Sequence, residues 1–222
     1  MRVDPIKANQ CYSWLLNRHY AKRIPSISFA FGLYEDDLIT GVVTFGTPSS
    51  SSLRRGIAGD DYIMDVIELN RLCVNSSNKN AASFLVASSI KQIPKNKIIV
   101  SYADTSMGHH GFIYQACNFI YTGLSAKRTD WKVKGLEHLH GATIADMSRG
   151  QENRAEWMRA KYGDDFYLED RPRKHRYISI HGSKGYRKAV LASLNYSVEP
   201  YPKGNNSRYD DSGDVEQQLS FL

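Results

Sequence analysis

An arginine within an apolar strand pattern is the first residue whose position suggests chemistry. Arg71 alternates with a set of apolar residues, Ile67, Leu69 and Cys73. This spacing predicts that one otherwise apolar strand face carries a permanent cation. Such a cation needs a partner. The partner is either structural, with Glu68 or Asp104 as candidates, or a substrate phosphate or carbonyl.

Asp104 follows a short continuous apolar run, 98–102, of the kind found in a buried strand paired in parallel. Ligands of open sheets gather at the carboxyl ends of such strands. The carboxylate is therefore a candidate general base, and a turn-forming aspartate is the alternative interpretation.

A tyrosine and a phenylalanine follow the same strand, five positions apart. The stretch from Tyr114 to Phe119 is similar to the Tyr-x-x-x-Gly-Phe signature of acetyltransferase-like (GNAT-like) folds, with Asn118 in place of the glycine. In those enzymes the tyrosine protonates the leaving thiolate, a task that suits a phenol acting as a general acid. Asparagine tolerates the left-handed backbone that the glycine position requires. A packed core tyrosine is the alternative.

The polar loop 75–80 joins a predicted strand to a predicted helix, 81–93. The first N–H groups of a helix are unpaired and its dipole favours negative charge, so this junction predicts an anion site. The residues expected to contact a cofactor are Asn75, Lys79, Asn80 and Ala81, with Ser89 farther along the helix. In acetyltransferase-like folds this loop holds the pyrophosphate of coenzyme A, although those loops usually carry glycines that are missing here.

The cysteines and histidines give no metal-type spacing. Cys11, Cys73 and Cys117 lie far apart in apolar stretches, where a buried free thiol is expected. The pairs His109-His110 and His138-x-His140 lack a third ligand at a defined distance. We therefore expect no catalytic metal.

The charge of the chain is concentrated in one segment. The net charge is +6, and residues 171–198 contain seven Lys or Arg residues but no Asp or Glu. A stripe of one sign predicts a polyanionic partner such as a phosphate backbone, and a solvated surface face is the alternative. The residues expected to contact DNA are Arg173, Lys174, Arg176, Lys184, Arg187 and Lys188.

Several predicted elements would position these residues. Asp4-Pro5 resembles a helix start, and that first helix should end near Asn17. A hairpin follows, with strands at 27–34 and 38–45, and then a loop at 47–61 that we expect to be mobile. The order continues as strand, helix, strand, helix and strand, which indicates an α+β fold. Farther along, the pattern predicts strands around 131–133 and 176–180 and helices at 153–162 and 183–194.

The overall organisation is simple. Length and apolar content favour one domain over residues 1–204, with a basic segment at 171–203 and a polar tail at 205–222 that we expect to be disordered. The sequence has no apolar run long enough to cross a membrane and no signal-type N-terminus, which predicts a cytoplasmic protein.

Several short stretches together resemble the Mom family of phage and prophage proteins. They are Ser101–Thr105, Gly108–Gly123, Arg173–Tyr177 and Pro200–Lys203. The resemblance implies a GNAT-like mixed central sheet flanked by helices. It also implies conversion of adenine in DNA to N6-carbamoylmethyladenine, which shields phage DNA from host restriction. The functional positions that it implies are His19, Tyr20, Arg71, Asp104 and Tyr114, with a helix serine, Ser89.

That reaction makes its own demands. The exocyclic amine of adenine is a poor nucleophile, so it needs a nearby base and a polarised donor carbonyl. We assign Asp104 as the base and Arg71 as the oxyanion or phosphate contact. The adenine must be flipped out of double-stranded DNA, and Tyr20, Tyr102 or His19 would stack on it.

The acyl donor is either acetyl-CoA or glycyl-tRNA. Acetyl transfer does not supply the amide nitrogen of the product, whereas an N6-glycyl adenine could rearrange through a five-membered ring to nitrogen–methylene–carboxamide. Two other classes of function remain open. An N-acetyltransferase for a small molecule or protein would not explain the basic segment, and a non-catalytic DNA-binding module would not use Arg71, Asp104 or Tyr114. The sequence does not predict the oligomeric state.

Overall fold

The protein is built on a seven-stranded mixed sheet. A computed structural model describes residues 1–139 and 141–204. The sheet has the strand order β1-β2-β3-β4-β5-β9-β6. Its strands are β1 (Arg2–Pro5), β2 (Phe29–Glu35), β3 (Leu38–Gly46), β4 (Val66–Val74), β5 (Lys97–Asp104), β6 (Ile120–Leu124) and β9 (Lys174–His181). All neighbours are antiparallel except β4 and β5, which pair in parallel.

Helices cover both faces of this sheet, as the sequence predicted. The helices of the described residues are α1 (Ser51–Ala58), α2 (Ala81–Gln92), α3 (Phe112–Ala116), α4 (Gly141–Asp146), α5 (Arg154–Tyr162) and α6 (Lys184–Ala192), of which α4 and α5 belong to a smaller inserted unit. Helices α2 and α3 pack on the main apolar core with Phe45, Leu69 and Ile99. Helices α1 and α6 pack on the opposite face around Ile98 and Ile178. No helix of the described residues is both long enough and apolar enough to span a membrane.

The predicted hairpin is confirmed, and its turn explains the pair of aspartates. Asp36 and Asp37 have φ values of 48° and 62°. Glu35 pairs with Leu38, which leaves a two-residue loop. Two successive residues with positive φ match the turn that follows the right-handed twist of the strands, and aspartate tolerates that conformation.

Two expectations for the first sixty residues are wrong. Asp4 and Pro5 do not start a helix but end β1, where they pair with Gly32 and Phe31. An edge strand tolerates proline because one side of its backbone needs no partner. Short helical turns begin only at Ala8–Cys11 and Trp14–Arg18.

The loop expected at 47–61 contains helix α1. The Ser50 side chain caps it by accepting a hydrogen bond from the Leu53 N–H (3.2 Å). Ile57 is fully buried against the sheet. A cap and an apolar anchor thus order a stretch that composition alone indicated to be a loop.

A second, smaller unit is inserted between β6 and β9. It contains the two-stranded antiparallel sheet β7 (Arg128–Val133) and β8 (Phe166–Arg171), together with α4 and α5. Val133, Ile144 and Met158 form its own small core. The predicted tail, 205–222, lies outside the described residues, as does His140.

Candidate functional site

A β-bulge in β4 determines which face carries Arg71. Along the β3–β4 ladder, Arg71 pairs with Thr44 and Leu69 pairs with Phe45, so Asn70 is an extra residue. Leu69 packs in the main core beneath α2, and the bulge turns Arg71 to the opposite face. The prediction that Arg71 shares a face with Ile67 and Leu69 is therefore wrong, because a bulge breaks strict alternation.

The Asn70 side chain holds the bulge in place. Its Oδ1 accepts a hydrogen bond from the buried Thr44 hydroxyl (2.6 Å), and its Nδ2 donates to the Ser26 carbonyl (2.8 Å). The Arg71 guanidinium donates to the Asn70 carbonyl (2.6 Å). Both polar atoms of the Asn70 side chain thus have partners, which stabilises the bulge.

Strands β4 and β5 pair over only three residues each, ending with Glu68 opposite Val100. Just beyond, the Ser101 hydroxyl donates to the Leu69 carbonyl (2.9 Å). Both strands continue past this point, to Val74 and Asp104, without further pairing to each other in the described part of the chain. Their carboxyl-terminal halves therefore frame an opening in the sheet.

Polar side chains gather around this opening on the face opposite α2. We call them the polar cluster: Tyr20, Glu68, Arg71, Asp104 and Lys174. Asp104 and Lys174 are register partners on β5 and β9. The N-terminal segment contributes Tyr20, whose pKa is raised by burial and by the charge of Asp104, against the charges of Lys174 and Arg71. The structure thus brings together four of the predicted site residues, one of which, Lys174, was expected to contact DNA.

Asp104 is held as an anion. Its Oδ2 lies 2.8 Å from Lys174 Nζ, and its Oδ1 accepts hydrogen bonds from the Ser106 N–H (3.1 Å) and hydroxyl (2.6 Å). Burial favours a higher pKa, but the bonds from Lys174 and Ser106 and the lysine charge outweigh it, so the pKa lies below its ordinary value. A carboxylate stabilised in this way is a weak proton acceptor, which argues against the role of base that the sequence suggested.

Arg71 is a half-buried cation without a carboxylate partner in the described residues. Neither predicted partner, Glu68 or Asp104, forms an ion pair with it, and apart from Asn70 its hydrogen-bond partner is the Arg23 carbonyl at 3.4 Å. Burial lowers its pKa, and Tyr20 and Glu68 partly oppose this effect. Arginine stays charged in proteins, so the guanidinium is available to an anionic or carbonyl oxygen.

His19 and Tyr20 form an aromatic step beside Arg71. Their rings stack with centroids 4.5 Å apart, and the Tyr20 ring meets His109 edge-on at 5.8 Å. His19 Nδ1 accepts the Ala21 N–H (3.0 Å). Burial, with the charges of Arg71 and His109, lowers the pKa of His19 to about 4, so its ring is neutral. Tyr20 is 48% exposed and presents its ring to solvent.

Tyr114 occupies the other side of the sheet. It packs against the main core, with its ring centroid 5.5 Å from that of Phe119 and 5.3 Å from that of Tyr177. Asn118 has a φ of 56°, so it adopts the left-handed conformation expected where the signature has glycine. The geometry of the tyrosine turn is therefore as predicted, while the catalytic role of Tyr114 stays a prediction.

The predicted anion site at α2 has the expected strand–loop–helix form. Asn80 is the N-cap of α2, and its side chain forms no capping hydrogen bond. Asn75 donates its N–H to the Thr40 carbonyl (2.7 Å), and Lys79 is exposed. Ser89 is fully buried, and its Oγ has no hydrogen-bond partner within the described ranges. It therefore lies in the protein interior rather than on the exposed loop with Lys79.

The basic segment divides into an inward and an outward part. Arg173 donates to the carbonyls of Ser125 (2.6 Å) and Leu124 (3.2 Å). Arg176 is 7% exposed, donates to Thr122, and stacks on Tyr196 with its Cζ 3.3 Å from the ring centroid. Its burial corrects the prediction that it contacts DNA, since the guanidinium holds the C-terminal segment instead.

The outward part lies on α6. Lys184, Arg187 and Lys188 are exposed and, with Gly182 and Leu191, line a shallow surface depression. The Ser183 hydroxyl caps this helix by accepting the Tyr186 N–H (3.2 Å). The three cations are free to meet a phosphate backbone.

The cysteines are free, as predicted, and burial raises the pKa of each thiol to about 11. Residues 1–139 and 141–204 contain no group of three or more histidine, cysteine or acidic side chains arranged to hold a metal ion.

Sequence reasoning missed two site residues, Glu68 as a member of the polar cluster and Asn70 as the bulge. Asn70 interrupts the apolar pattern of β4, and that interruption was the available signal.

Known proteins resemble this chain over most of its length. The family described as the Mom protein family matches residues 1–203. The methylcarbamoylase mom of Escherichia phage Mu is 26% identical over 209 residues, an alignment that covers 91% of this chain and 84% of that protein.

Solved structures similar to this chain include acetyltransferases. A GNAT family acetyltransferase of Bacillus cereus is 14% identical, with 82% of this chain and 98% of that chain covered and a TM-score of 0.42. An acetyltransferase of Bacillus subtilis in complex with CoA is also 14% identical, with 81% and 97% covered and a TM-score of 0.42.

Proposed function

We propose that this chain, which belongs to the Mom protein family, is a transferase that modifies the exocyclic amine of adenine in DNA. The observation that carries the proposal is the polar cluster at the opening between β4 and β5. There an arginine without a carboxylate partner in the described residues lies beside an exposed tyrosine and two carboxylates. The name methylcarbamoylase of the phage Mu relative is consistent with this chemistry.

The substrate base reaches the cluster by leaving the duplex. Tyr20 is half-exposed and already stacked on His19, so its free side offers a surface for a flipped adenine. Stacking on an aromatic ring recovers part of the energy lost on unpairing and unstacking the base. Tyr20 is thus the platform on which the adenine amine is brought to the carboxylates.

Arg71 polarises the donor carbonyl or binds a substrate phosphate. The amine lone pair of adenine is delocalised into the ring, so attack requires an electrophile whose developing negative charge is stabilised. The guanidinium lies beside Tyr20. Burial lowers the pKa of Arg71, and Tyr20 and Glu68 partly oppose this effect. A positive charge beside the aromatic platform would stabilise the oxygen of a donor carbonyl that the amine attacks.

The donor is an activated acyl group, and we propose that the start of α2 binds its anionic part. Asn75, Lys79, Asn80 and Ala81 surround this helix end, where the Asn80 side chain forms no capping hydrogen bond. The helix dipole and the exposed Lys79 ammonium suit a pyrophosphate of acetyl-CoA or the phosphates of glycyl-tRNA. The nitrogen of a carbamoylmethyl product favours the glycyl donor on connectivity. No metal is needed for either route.

The DNA backbone would be held by α6, which follows His181 at the end of β9 opposite Lys174. We propose that Lys184, Arg187 and Lys188 of α6 contact phosphates, with residues 1–204 forming one catalytic domain. The product would be N6-carbamoylmethyladenine, and DNA carrying it would resist restriction enzymes that read adenine.

Nucleoside mass spectrometry tests this function. The chain is expressed in a bacterial host, and plasmid DNA is digested to nucleosides, with an Arg71→Ala strain as the control. We expect a carbamoylmethylated deoxyadenosine only with the parent chain, together with protection of the plasmid from adenine-reading restriction enzymes. Unmodified adenine, with acetylated small molecules or proteins in the same cells, would assign the chain to a different class of acetyltransferase.

A further inference from the structure

The polar cluster contains two carboxylates in contrasting environments. Glu68 lies on β4 and Asp104 on β5, and both face the opening between these strands. When two titratable groups of one site have environments that separate their proton affinities, their roles in acid–base chemistry separate as well. The contrast therefore decides which of the two can take up a proton.

Both carboxylate oxygens of Asp104 have partners. Lys174 and Ser106 together provide it with an ion pair and two hydrogen bonds. Accepting a proton would weaken these contacts, so they stabilise the ionised form. Asp104 holds Lys174 in place and orders the turn that leads to His109, and in this environment it is a positioning residue.

Glu68 has the opposite surroundings. It is half-buried, and no residue of 1–139 or 141–204 forms a hydrogen bond or an ion pair with it. It occupies the last β4 position that pairs with β5, so its side chain stands at the start of the opening. The groups that influence it electrostatically are Arg71 on its own strand and Lys174 on β9, and it in turn affects Tyr102 on β5.

Burial raises the pKa of Glu68, although the charges of Arg71 and Lys174 oppose the rise. The two cations favour the ionised form without binding it directly, while partial burial makes the carboxylate more basic than a solvated glutamate. A general base works best when its proton affinity is brought toward the working pH in this way.

We propose that Glu68 is the catalytic base, which accepts the proton of the adenine N6 amine as that nitrogen attacks the acyl donor. This inference rests on the proposed function. A bond forms between N6 and the donor carbonyl carbon, and the bond from that carbon to the leaving group breaks. The leaving group departs with the electron pair, and the N6 proton passes to a Glu68 carboxylate oxygen. Arg71, on the same face, stabilises the negative charge on the carbonyl oxygen.

The first test compares Glu68→Gln with Glu156→Gln, the same change at an exposed position on α5. Glutamine keeps the shape of the side chain but cannot take up the proton. In the nucleoside assay we expect Glu68→Gln to lower adenine modification by about 10²-fold or more, with circular dichroism and DNA affinity like the parent, and Glu156→Gln to have no effect. Modification by Glu68→Gln at the parent level would overturn the proposal. If the parent chain itself leaves adenine unmodified, the proposed function fails instead.

The second test needs neither activity nor a variant. The side-chain carboxyl carbons of the ¹³C-labelled parent chain are titrated by NMR and assigned through correlations to the backbone. We expect the Glu68 carboxyl to titrate at a higher pH than a glutamate in a short peptide, and Asp104 at a lower pH than a peptide aspartate. A Glu68 midpoint at or below the peptide value would overturn the assignment, even if Glu68→Gln proved inactive or failed to fold.

Discussion

The ammonium of Lys174 lies 2.8 Å from the carboxylate of Asp104, across the antiparallel pair β5 and β9. The aspartate side chain is only 12% exposed and the lysine 38%, so the pair is partly protected from water. This ion pair links β5, which ends at the site, to β9, which carries part of the basic segment. The bonds from Lys174 and Ser106 also lower the pKa of Asp104 and so favour its ionised form.

Replacing Asp104 by asparagine should therefore lower stability and modification together. The variant removes the ion pair and leaves Lys174 uncompensated, and because the lysine is partly solvated we expect a loss of about 1 to 2 kcal/mol. Urea unfolding measures this loss in the free energy of unfolding. Lys134→Met, which breaks the exposed Lys134–Asp165 pair, is the control and should change stability little. An equal free energy of unfolding for Asp104→Asn and the parent chain would show that the ion pair does not stabilise the fold.

Acid should destabilise the fold through His19. The pKa of His19 is about 4 in the folded protein, against an ordinary value of 6.5 for histidine in an unfolded chain. The unfolded chain therefore binds more protons between these pH values. Stability is complete above pH 6.5 and falls as the pH drops through this window, by up to about 3 kcal/mol. Burial also lowers the pKa values of His109 and His175, which adds to the effect.

The measurement is the melting temperature at several pH values between 7 and 4. The variant His19→Asn retains a side-chain acceptor for the Ala21 N–H but cannot be protonated, so its melting temperature should depend less on pH than that of the parent. His138→Asn, at an exposed position, should follow the parent. Identical profiles for His19→Asn and the parent would show that His19 does not titrate as stated.

The bulge should be sensitive to Asn70. Asn70→Ala leaves the fully buried Thr44 hydroxyl without its acceptor, which costs about 1 to 3 kcal/mol. Asn70→Asp keeps that acceptor but sets a carboxylate oxygen against the Ser26 carbonyl, so it should also lose stability, while the Thr44 hydroxyl stays bonded. Chemical denaturation gives both values, and hydrogen exchange of the Arg71 amide reports local opening. Equal stability of the alanine variant and the parent would contradict a role for Asn70 in holding the bulge.

DNA affinity should depend on α6 rather than on the buried cations of β9. Replacing Lys184, Arg187 and Lys188 by alanine should weaken binding to a duplex and reduce the slope of log affinity against log salt by about 2 to 3. Fluorescence anisotropy at several salt concentrations measures this slope. A control variant with Lys7, Lys91 and Lys95 replaced by alanine removes the same charge from exposed positions elsewhere. An equal slope for both variants would remove α6 from the interface.

Tyr114→Phe should keep the fold and lose most of the modification. The ring still packs against Phe119 and Tyr177, while the hydroxyl proton that would go to the leaving group is deleted. A loss on the order of 10²-fold is expected of a general acid. Nucleoside analysis and thermal melting measure the two effects. Full modification by the phenylalanine variant would make Tyr114 a packing residue.

Much of the fold follows from local patterns, and the departures have local causes. The hairpin at Asp36 and Asp37 was predictable because a two-residue turn and its flanking strands are specified by adjacent residues. The sheet face that Arg71 occupies was not predictable, because one extra residue, Asn70, reverses the alternation of side chains beyond it. Nor does the sequence disclose that Arg176 turns inward, since its partners Thr122 and Tyr196 are distant in the chain.

The order of the strands has a consequence for how the protein is made. Strand β9 lies between β5 and β6 in the sheet, yet it follows both in the chain, after the whole inserted unit of residues 125–173. On the ribosome, β5 and β6 are complete while the strand that joins them has not been synthesised. Both must therefore wait with open backbone edges, which are templates for wrong pairing. Asp104 meets Lys174 only when β9 arrives, so the last strand of the described residues to be translated also completes the polar cluster.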